Sequence, residues 1–229
     1  DDGLLKDYDD SLKNFQKEHN LTIFHLMGQH VNYKQRYRTK QARFWASSYE
    51  DKRPELTNAQ RKMLSHYDNA TLYNDSIVAQ IVKRFQKQDA IVIYVPDHGE
   101  ECYEENRGFI CRNHSAEIDW PLAHYEFEIP FWIYCSPKYI RNHRDIYRQI
   151  RKAKDKRFMT DALPHLLLYL AGIETPTYKE EYNILSPKYD EMRPRILKNS
   201  ADYDKLRDAH LEKIKKEESK KVKKKERRN

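Results

Sequence analysis

Residues 91–100 read Ile91-Val92-Ile93-Tyr94-Val95-Pro96-Asp97-His98-Gly99-Glu100, a β-branched run that delivers an adjacent Asp-His pair into a glycine turn. A continuous apolar run of this kind predicts a strand over Ala90–Val95. Strands of open α/β sheets present their chemistry at their carboxyl ends, so Asp97 and His98 are expected to project into a crevice. One hard carboxylate oxygen beside one imidazole nitrogen suits a zinc-like divalent ion. The dipeptide alone is also ordinary loop composition, so its meaning rests on its surroundings.

Just upstream, the pattern between about Asn58 and Gln88 is helical. Met63, Tyr67, Ala70, Tyr73 or Asn74, Ile77, Ile81 and Phe85 recur at three- and four-residue spacing, with Thr57 or Asn58 as cap. Further upstream, Leu12–Glu18 reads as a short amphipathic helix and Leu21–Phe24 as a strand; strand, helix, strand is the parallel crossover unit. Downstream, Pro130–Cys135 runs Pro-Phe-Trp-Ile-Tyr-Cys, too continuously apolar for a sheet face open to water. Thr160 or Asp161 is expected to cap a helix over Leu163–Leu170, with Pro164 in its first turn and Gly172 past its end. Tyr182–Arg195, broken by Pro187 and Pro194, reads as an extended wrap with turns. The resulting expectation is an α/β fold, a mostly parallel sheet flanked by helices. It occupies residues 1–199, and residues 200–229 form a C-terminal helix that runs into a basic tail.

With 229 residues, the chain can bury one sizeable core. No apolar run is long enough to cross a bilayer and no signal peptide is visible. The chain begins Asp-Asp-Gly rather than with Met, which suggests a product cut from something longer. The formal charge of +7 is local: Lys213–Asn229 holds ten lysines and arginines against three glutamates, which accounts for the whole surplus. Such a tail is a solvated helix end or a contact for anionic lipid headgroups and polyanionic glycolipid. It comes with no recognition motif, so nucleic acid is not an expected partner. Of the three cysteines, Cys102 and Cys111 bracket a polar loop and could bridge in an oxidising compartment, while Cys135 reads as a buried thiol of an apolar strand. With no C-x-x-C pair, a structural zinc ribbon is not expected.

Two further histidine clusters accompany the Asp-His pair. Phe24-His25-Leu26-Met27-Gly28-Gln29-His30 follows the first predicted strand, and Gly108-Phe109-Ile110-Cys111-Arg112-Asn113-His114 places a histidine in a loop beside Arg112. Each alone is compatible with a surface histidine. Together they could hold one or two divalent metals and an anionic tetrahedral group, with Arg112 neutralising phosphate charge and neutral imidazoles ligating metal or donating to oxygens.

The ordered set carries a resemblance. His25-x-x-Gly28-x-His30, followed by Tyr33 and Arg36-Tyr37, resembles the signature of phosphoethanolamine transferases of the alkaline-phosphatase/sulfatase superfamily, which modify lipid A or other surface glycolipids. Tyr67-Asp68-Asn69 with Tyr73-Asn74-Asp75 resembles their Tyr-Asp-Asn helix. Asp97-His98-Gly99-Glu100 is similar to their metal-binding strand end, and Glu128-Ile129-Pro130-Phe131 to the start of their next strand. The likeness spans roughly Leu21 to Ser136. Beyond it, only Leu163-Pro164-His165-Leu166-Leu167 and Ala171-Gly172 carry it. The Asp-His-Gly-Glu element is shared across the superfamily, whereas the ordered set with His25 and His30 is far more specific.

The resemblance implies an alkaline-phosphatase/sulfatase-like partial domain with zinc, one or two ions, as cofactor. Asp97 and His98 become zinc ligands, and His30 and His114 the catalytic contacts to the phosphoryl group. His25, His30, His114 and Arg112 become substrate-binding or second-metal residues. Glu100 would cap the turn or orient His98. The loop from Asp97 to His114 is longer than the family pattern, which leaves His124 as an alternative third histidine. The expected reaction moves phosphoethanolamine from phosphatidylethanolamine to an anionic glycolipid acceptor through a phospho-threonine. No threonine here stands where the pattern needs one: Thr22 lies inside a predicted strand, and Thr57, Thr71, Thr160, Thr175 and Thr177 read as caps, helix surface or loop. The nucleophile is therefore expected in an N-terminal half of the domain that also carries a membrane anchor, with the catalytic domain on the periplasmic face of the bacterial inner membrane. A sulfatase or phosphoglycerol transferase of the same superfamily is the nearest alternative. A non-catalytic metal-binding or interaction fragment is the alternative from another class.

Overall fold

The computed structural model describes residues 1–11, 19–112 and 117–226, and its backbone divides into two units. The first comprises residues 1–92 with 102–111, the second residues 93–101 with 112–229. The expected helix at Leu12–Glu18 lies outside the described residues.

In chain order, the first unit carries helices α1 (Asp2–Ser11) and α2 (Asn58–Phe85), then strands β1 (Ile91–Tyr94), β2 (Glu101–Cys102) and β3 (Phe109–Cys111), with β1 and β2 running across the unit boundaries. Thr57 and Gln60 form a reciprocal capping box at the start of α2: Gln60 N donates to Thr57 Oγ1 at 3.3 Å, and Thr57 N to Gln60 Oε1 at 2.7 Å. The helix buries Leu64, Ala70, Ile77, Val78 and Ile81, but also Ser65, Asn69 and Asn74. Met63, expected on the core face, is 37% exposed. The face is partly polar because it packs against irregular chain whose backbone groups need partners. Asn69 shows this: its Oδ1 accepts from Arg43 N at 2.7 Å and Phe44 N at 3.1 Å, and its Nδ2 donates to Phe44 O at 2.8 Å.

Leu21–Phe24 does not form the expected strand. Leu21 and Ile23 are each 80% exposed, while Phe24 and Leu26 pack beside Leu5, Ile77 and Ile81. Phe24 also sits edge-on to Tyr8, with ring centroids 5.2 Å apart. Leu21, Thr22 and Ile23 are all exposed, and burial alternates only from Ile23 onward. What is missing, among the described residues, is a ladder partner.

The second unit continues through α3 (Trp120–Phe127), β4 (Trp132–Cys135), α4 (Pro137–Asn142), α5 (Arg144–Ala153), α6 (Leu163–Leu170), β5 (Ile196–Leu197), β6 (Ala201–Asp202) and α7 (Tyr203–Glu226). Asp119 caps α3 by accepting from Leu122 N at 2.9 Å, and Ser136 caps α4 by accepting from Tyr139 N at 3.0 Å. Leu166, Ala153, Ile184 and Leu185 form its core, with Phe131 stacked on Phe158 at 4.9 Å. The α6 helix ends as expected, with Gly172 at φ 66° and Ile173 N donating to Leu168 O at 2.9 Å. Thr160 and Asp161 do not cap it: they lie in a 3-10 turn, and the Asp161 carboxylate instead takes both arms of Arg193 at 2.6 and 2.7 Å.

The strands at β1 and β4 stand where expected, and Tyr94 stacks on Trp132 with centroids 5.3 Å apart. All described strands pair in twos: β1 with β4, β2 with β3, and β5 antiparallel to β6. A wider parallel sheet is not among the described residues. Each strand has four residues or fewer, too short a run for hydrophobic periodicity to reveal its neighbours.

Helix α7 is fastened at its first turn by Asp204, which receives Arg195 at 2.6 Å, Arg207 at 3.2 Å, and Arg157. Arg195 also covers the Tyr203 ring at 4.3 Å. The hydrogen bond from Arg195 holds the Asp204 pKa below its ordinary 3.8; burial opposes this, and the charges of Arg195, Arg157 and Arg207 reinforce it. A carboxylate whose pKa is depressed by folding stabilises the fold fully above its ordinary pKa, and that contribution fades as pH falls through the folded value. Asp204→Asn is expected to cost about 2–3 kcal/mol at neutral pH. Chemical denaturation at pH 7 and pH 3 checks this, because the difference between variant and parent must shrink at the lower pH.

Candidate functional site

The Asp-His pair is positioned by what surrounds Gly99. A Cβ at Gly99 would lie 2.2 Å from the Tyr125 carbonyl oxygen, and Gly99 N donates to Glu126 O at 2.8 Å. The turn after β1 is thus laid directly on the backbone of α3, an approach only glycine permits. His98 is oriented by the same turn. Its Nδ1 lies 2.7 Å from Gly99 O. A carbonyl only accepts, so Nδ1 carries the proton and Nε2 keeps its lone pair. That Nε2 faces Asp97 Oδ2 at 3.7 Å and accepts from Arg112 Nη1 at 3.2 Å. The backbone N of His98 donates to Asp97 Oδ1 at 3.1 Å. His98 is 19% exposed and the Asp97 side chain 90% exposed.

This donor pair fits a zinc-like ion as two of its ligands. Two ligands on a tetrahedral zinc stand roughly 3.3 Å apart, from metal bonds of about 2.0–2.1 Å. The solvent-facing Asp97 carboxylate would be free to rotate toward an ion held by His98. A proton on Nδ1, held by a carbonyl, is also how ligating histidines are commonly oriented. Among the described residues, no group of three or more His, Cys, Asp or Glu side chains forms a complete metal site.

His25 and His30 belong to the first unit, on a loop whose residues serve its shape. Gly28 takes φ 54°, Met27 N and Gly28 N donate to the Asp1 carboxylate at 2.8 and 2.9 Å, and Arg36 grips His30 O at 2.9 Å and Val31 O at 3.2 Å. Gln29 bonds Thr71 and Asn74 of α2, each at 3.3 Å. Tyr33 is 1% exposed and meets Tyr67 edge-on at 5.2 Å. Tyr33 and Asn74 of the motif therefore hold the loop to α2 while Arg36 holds the loop's own carbonyls; His25 remains exposed and His30 half-buried. His114 lies outside the described residues.

His124, the alternative third histidine, sits on α3 with Nδ1 2.9 Å from Glu128. It stacks on Trp120 at 5.5 Å, and Trp120 stacks on His210 of α7 at 5.2 Å. Burial raises the Glu128 pKa, but hydrogen bonds from Tyr203 and His124 outweigh it and hold the carboxyl below the usual range. His124 thus serves the packing of α7 on α3. The sequence reading missed Glu101 and Glu126, carboxylates only 0% and 2% exposed. Nothing in a Glu-Glu dipeptide distinguishes the half-buried Glu100 from its buried neighbour.

Comparison with known proteins gives this geometry its context. Residues 1–173 match the Sulfatase family model. The phosphoethanolamine transferase EptC of Escherichia coli K12 is 31% identical over 195 residues, covering 83% of this chain and 32% of that protein. The Kdo(2)-lipid A phosphoethanolamine 7''-transferase of the same strain is 32% identical over 161 residues, covering 69% and 27%. The chain thus spans about a third of the length of these relatives. Among solved structures, the C-terminal periplasmic domain of E. coli EptC in complex with Zn is 28% identical with a TM-score of 0.70, covering 88% of this chain and 56% of that one. The chain belongs to the sulfatase family and is similar to its phosphoethanolamine transferases.

Proposed function

We propose that this chain is the C-terminal part of a phosphoethanolamine transferase catalytic domain, on the periplasmic face of a bacterial inner membrane. It would move phosphoethanolamine from phosphatidylethanolamine to a surface glycolipid such as lipid A, through a phospho-threonine whose nucleophile lies outside this sequence. The observation that carries the reading is the Asp97–His98 pair, oriented as a ligand pair at a strand end, in a chain 31% identical to such an enzyme over 83% of its length. In this reading β1 and β4 belong to a mostly parallel sheet that other parts of the parent protein complete.

Asp97 and His98 hold zinc through a carboxylate oxygen and Nε2. When bound, the ion supplies charge that lowers a hydroxyl nucleophile's pKa and offsets charge on the phosphoryl oxygens. Gly99 O keeps the Nδ1 proton in place, so the lone pair of His98 stays directed outward. Arg112, which donates to His98 Nε2 in this structure, would leave that nitrogen to the ion and present its guanidinium to an anionic group arriving at the turn. His30 and His114 contact the phosphoryl oxygens, and His25 supports them or helps hold a second ion. The tail from Lys213, carrying the whole net charge, faces the anionic headgroups where donor and acceptor reside.

Three measurements test this. In a bacterium lacking its own transferases, expression of the full parent protein is expected to add phosphoethanolamine to lipid A, read by mass spectrometry. His98→Gln or Asp97→Asn should abolish the addition and weaken zinc binding by about 100-fold or more. Sulfate-ester hydrolysis or phosphoglycerol transfer in place of this addition would instead favour the sibling activities. Gly99→Ala leaves every proposed ligand intact, yet is expected to weaken zinc about 10–100-fold by displacing the turn from Tyr125; unchanged calorimetry would refute the positioning role. Deleting Lys213–Asn229 should cost about tenfold or more in binding to anionic vesicles while binding to neutral ones stays the same.

A further inference from the structure

We infer that Cys102 and Cys111 are a disulfide site, closing a covalent clasp across the β2–β3 hairpin. The two strands pair, and Tyr103 N donates to Gly108 O at 2.9 Å, which closes the hairpin. In that register Cys102 lies opposite Phe109 and Cys111 is its diagonal neighbour on the same face, about 7–8 Å away in a regular ladder. Bonding therefore needs the end of β3 at Cys111, already turned out of the ladder at φ 60°, to draw in. The Tyr33 hydroxyl lies 3.8 Å from Cys102 Sγ and 3.7 Å from Cys111 Sγ, both of them thiols in this structure. One hydroxyl therefore touches both sulfurs, within a wall of Tyr33, Tyr103 and Phe109.

The hairpin has reason to need a clasp. Tyr103, Glu105, Asn106 and Cys111 adopt φ of 68°, 50°, 60° and 60°, conformations that side chains other than glycine take at a cost. A cross-link restricts the unfolded chain and offsets part of that cost. The clasp would also fix the covalent path between the Asp97–His98 turn, five residues before Cys102, and Arg112, the residue after Cys111. Cys135 belongs to the other unit, where burial raises its pKa and disfavours the reactive thiolate.

The chemistry needs a disulfide oxidant, either a protein dithiol-disulfide or oxidised glutathione. Cys111, the more exposed of the two, attacks the oxidant as thiolate and displaces one thiol to give a mixed disulfide. Cys102 then attacks the Cys111 sulfur and displaces the second thiol. The chain loses two protons and two electrons, and the oxidant becomes two thiols. The protein oxidant of this kind belongs to the periplasm, so in cells the bond rests on the proposed location, whereas its chemistry does not.

The test is thiol counting. The chain is prepared twice, exported to a bacterial periplasm or made in the cytosol and treated with oxidised glutathione. Each sample is denatured without reductant, alkylated, weighed and peptide-mapped. The expected result is one alkylated thiol, Cys135, of the three cysteines, with Cys102 and Cys111 in one linked peptide pair and three alkylated thiols after reduction. Three alkylated thiols in both preparations, a persistent glutathione adduct at Cys111, or a bridge to Cys135 would overturn the inference. Closure by glutathione but not on export would leave the disulfide standing and count against the periplasmic location. Cys111→Ser should leave the two remaining thiols alkylated in both preparations; a new bridge between Cys102 and Cys135 in that variant would also count against the pairing.

Discussion

The rest of the site depends on the absence of a Cβ at Gly99. With the Tyr125 carbonyl oxygen 2.2 Å from where that carbon would stand, the turn after β1 lies closer to α3 than any side chain allows. The same residue completes the site from both of its backbone groups. Its N–H donates to Glu126 O, which fixes the turn on the helix, and its carbonyl accepts from His98 Nδ1, which fixes the imidazole on the turn. The tautomer of His98, and hence the direction of its lone pair, follows from a backbone position rather than from another acidic side chain.

The signature around His25 and His30 divides along the same line. In the proposed reading two histidines carry chemistry, while most of the remaining motif residues hold backbone. Arg36 spends its guanidinium on two carbonyls, Asn69 spends its amide on Arg43 and Phe44, and Gln29 ties the loop to Thr71 and Asn74. Such a loop has no ladder or helix to satisfy its N–H and C=O groups, so polar side chains from α2 and from the loop itself replace them. A pattern of charged and amide residues in a motif thus need not mark substrate contacts. Here it marks the scaffold that keeps irregular chain in one conformation.

What was legible in the sequence follows from what periodicity reports. It reports burial along one element, so α2 with its Thr57 cap, the strands at Ile91–Tyr94 and Trp132–Cys135, and the end of α6 at Gly172 stood where expected. It does not report partners. Leu21–Phe24 has the apolar, β-branched composition of a strand and forms none among the described residues. The β5–β6 hairpin went unread because it is two residues a side, joined through Lys198 and Asn199 at φ 49° and 54° without a glycine to announce the turn. At the site, residue types and spacing pointed to Asp97, His98 and Arg112, and the structure brings those three together. The partners of His124, Trp120 and Glu128, are packing facts that no spacing rule encodes.

Helix α7 shows two electrostatic regimes on one element. At its first turn, Asp204 is 20% exposed and gathers Arg157, Arg195 and Arg207, so charge there is desolvated, paired and local, and binds the helix to its own unit. From Leu211 onward its described side chains are exposed, and the lysines there stand in high dielectric, where each contributes little to folding. The body before Lys213 has no net charge, so the net attraction for a polyanion comes from the tail. Positive charge that does not stabilise the fold, collected at one end of a helix whose other end is locked, acts through its field on what lies outside the molecule. That field reaches only about one Debye length, roughly 8–10 Å in physiological salt. The tail can therefore act only on a surface already close by, as a membrane would be for a domain tethered to one.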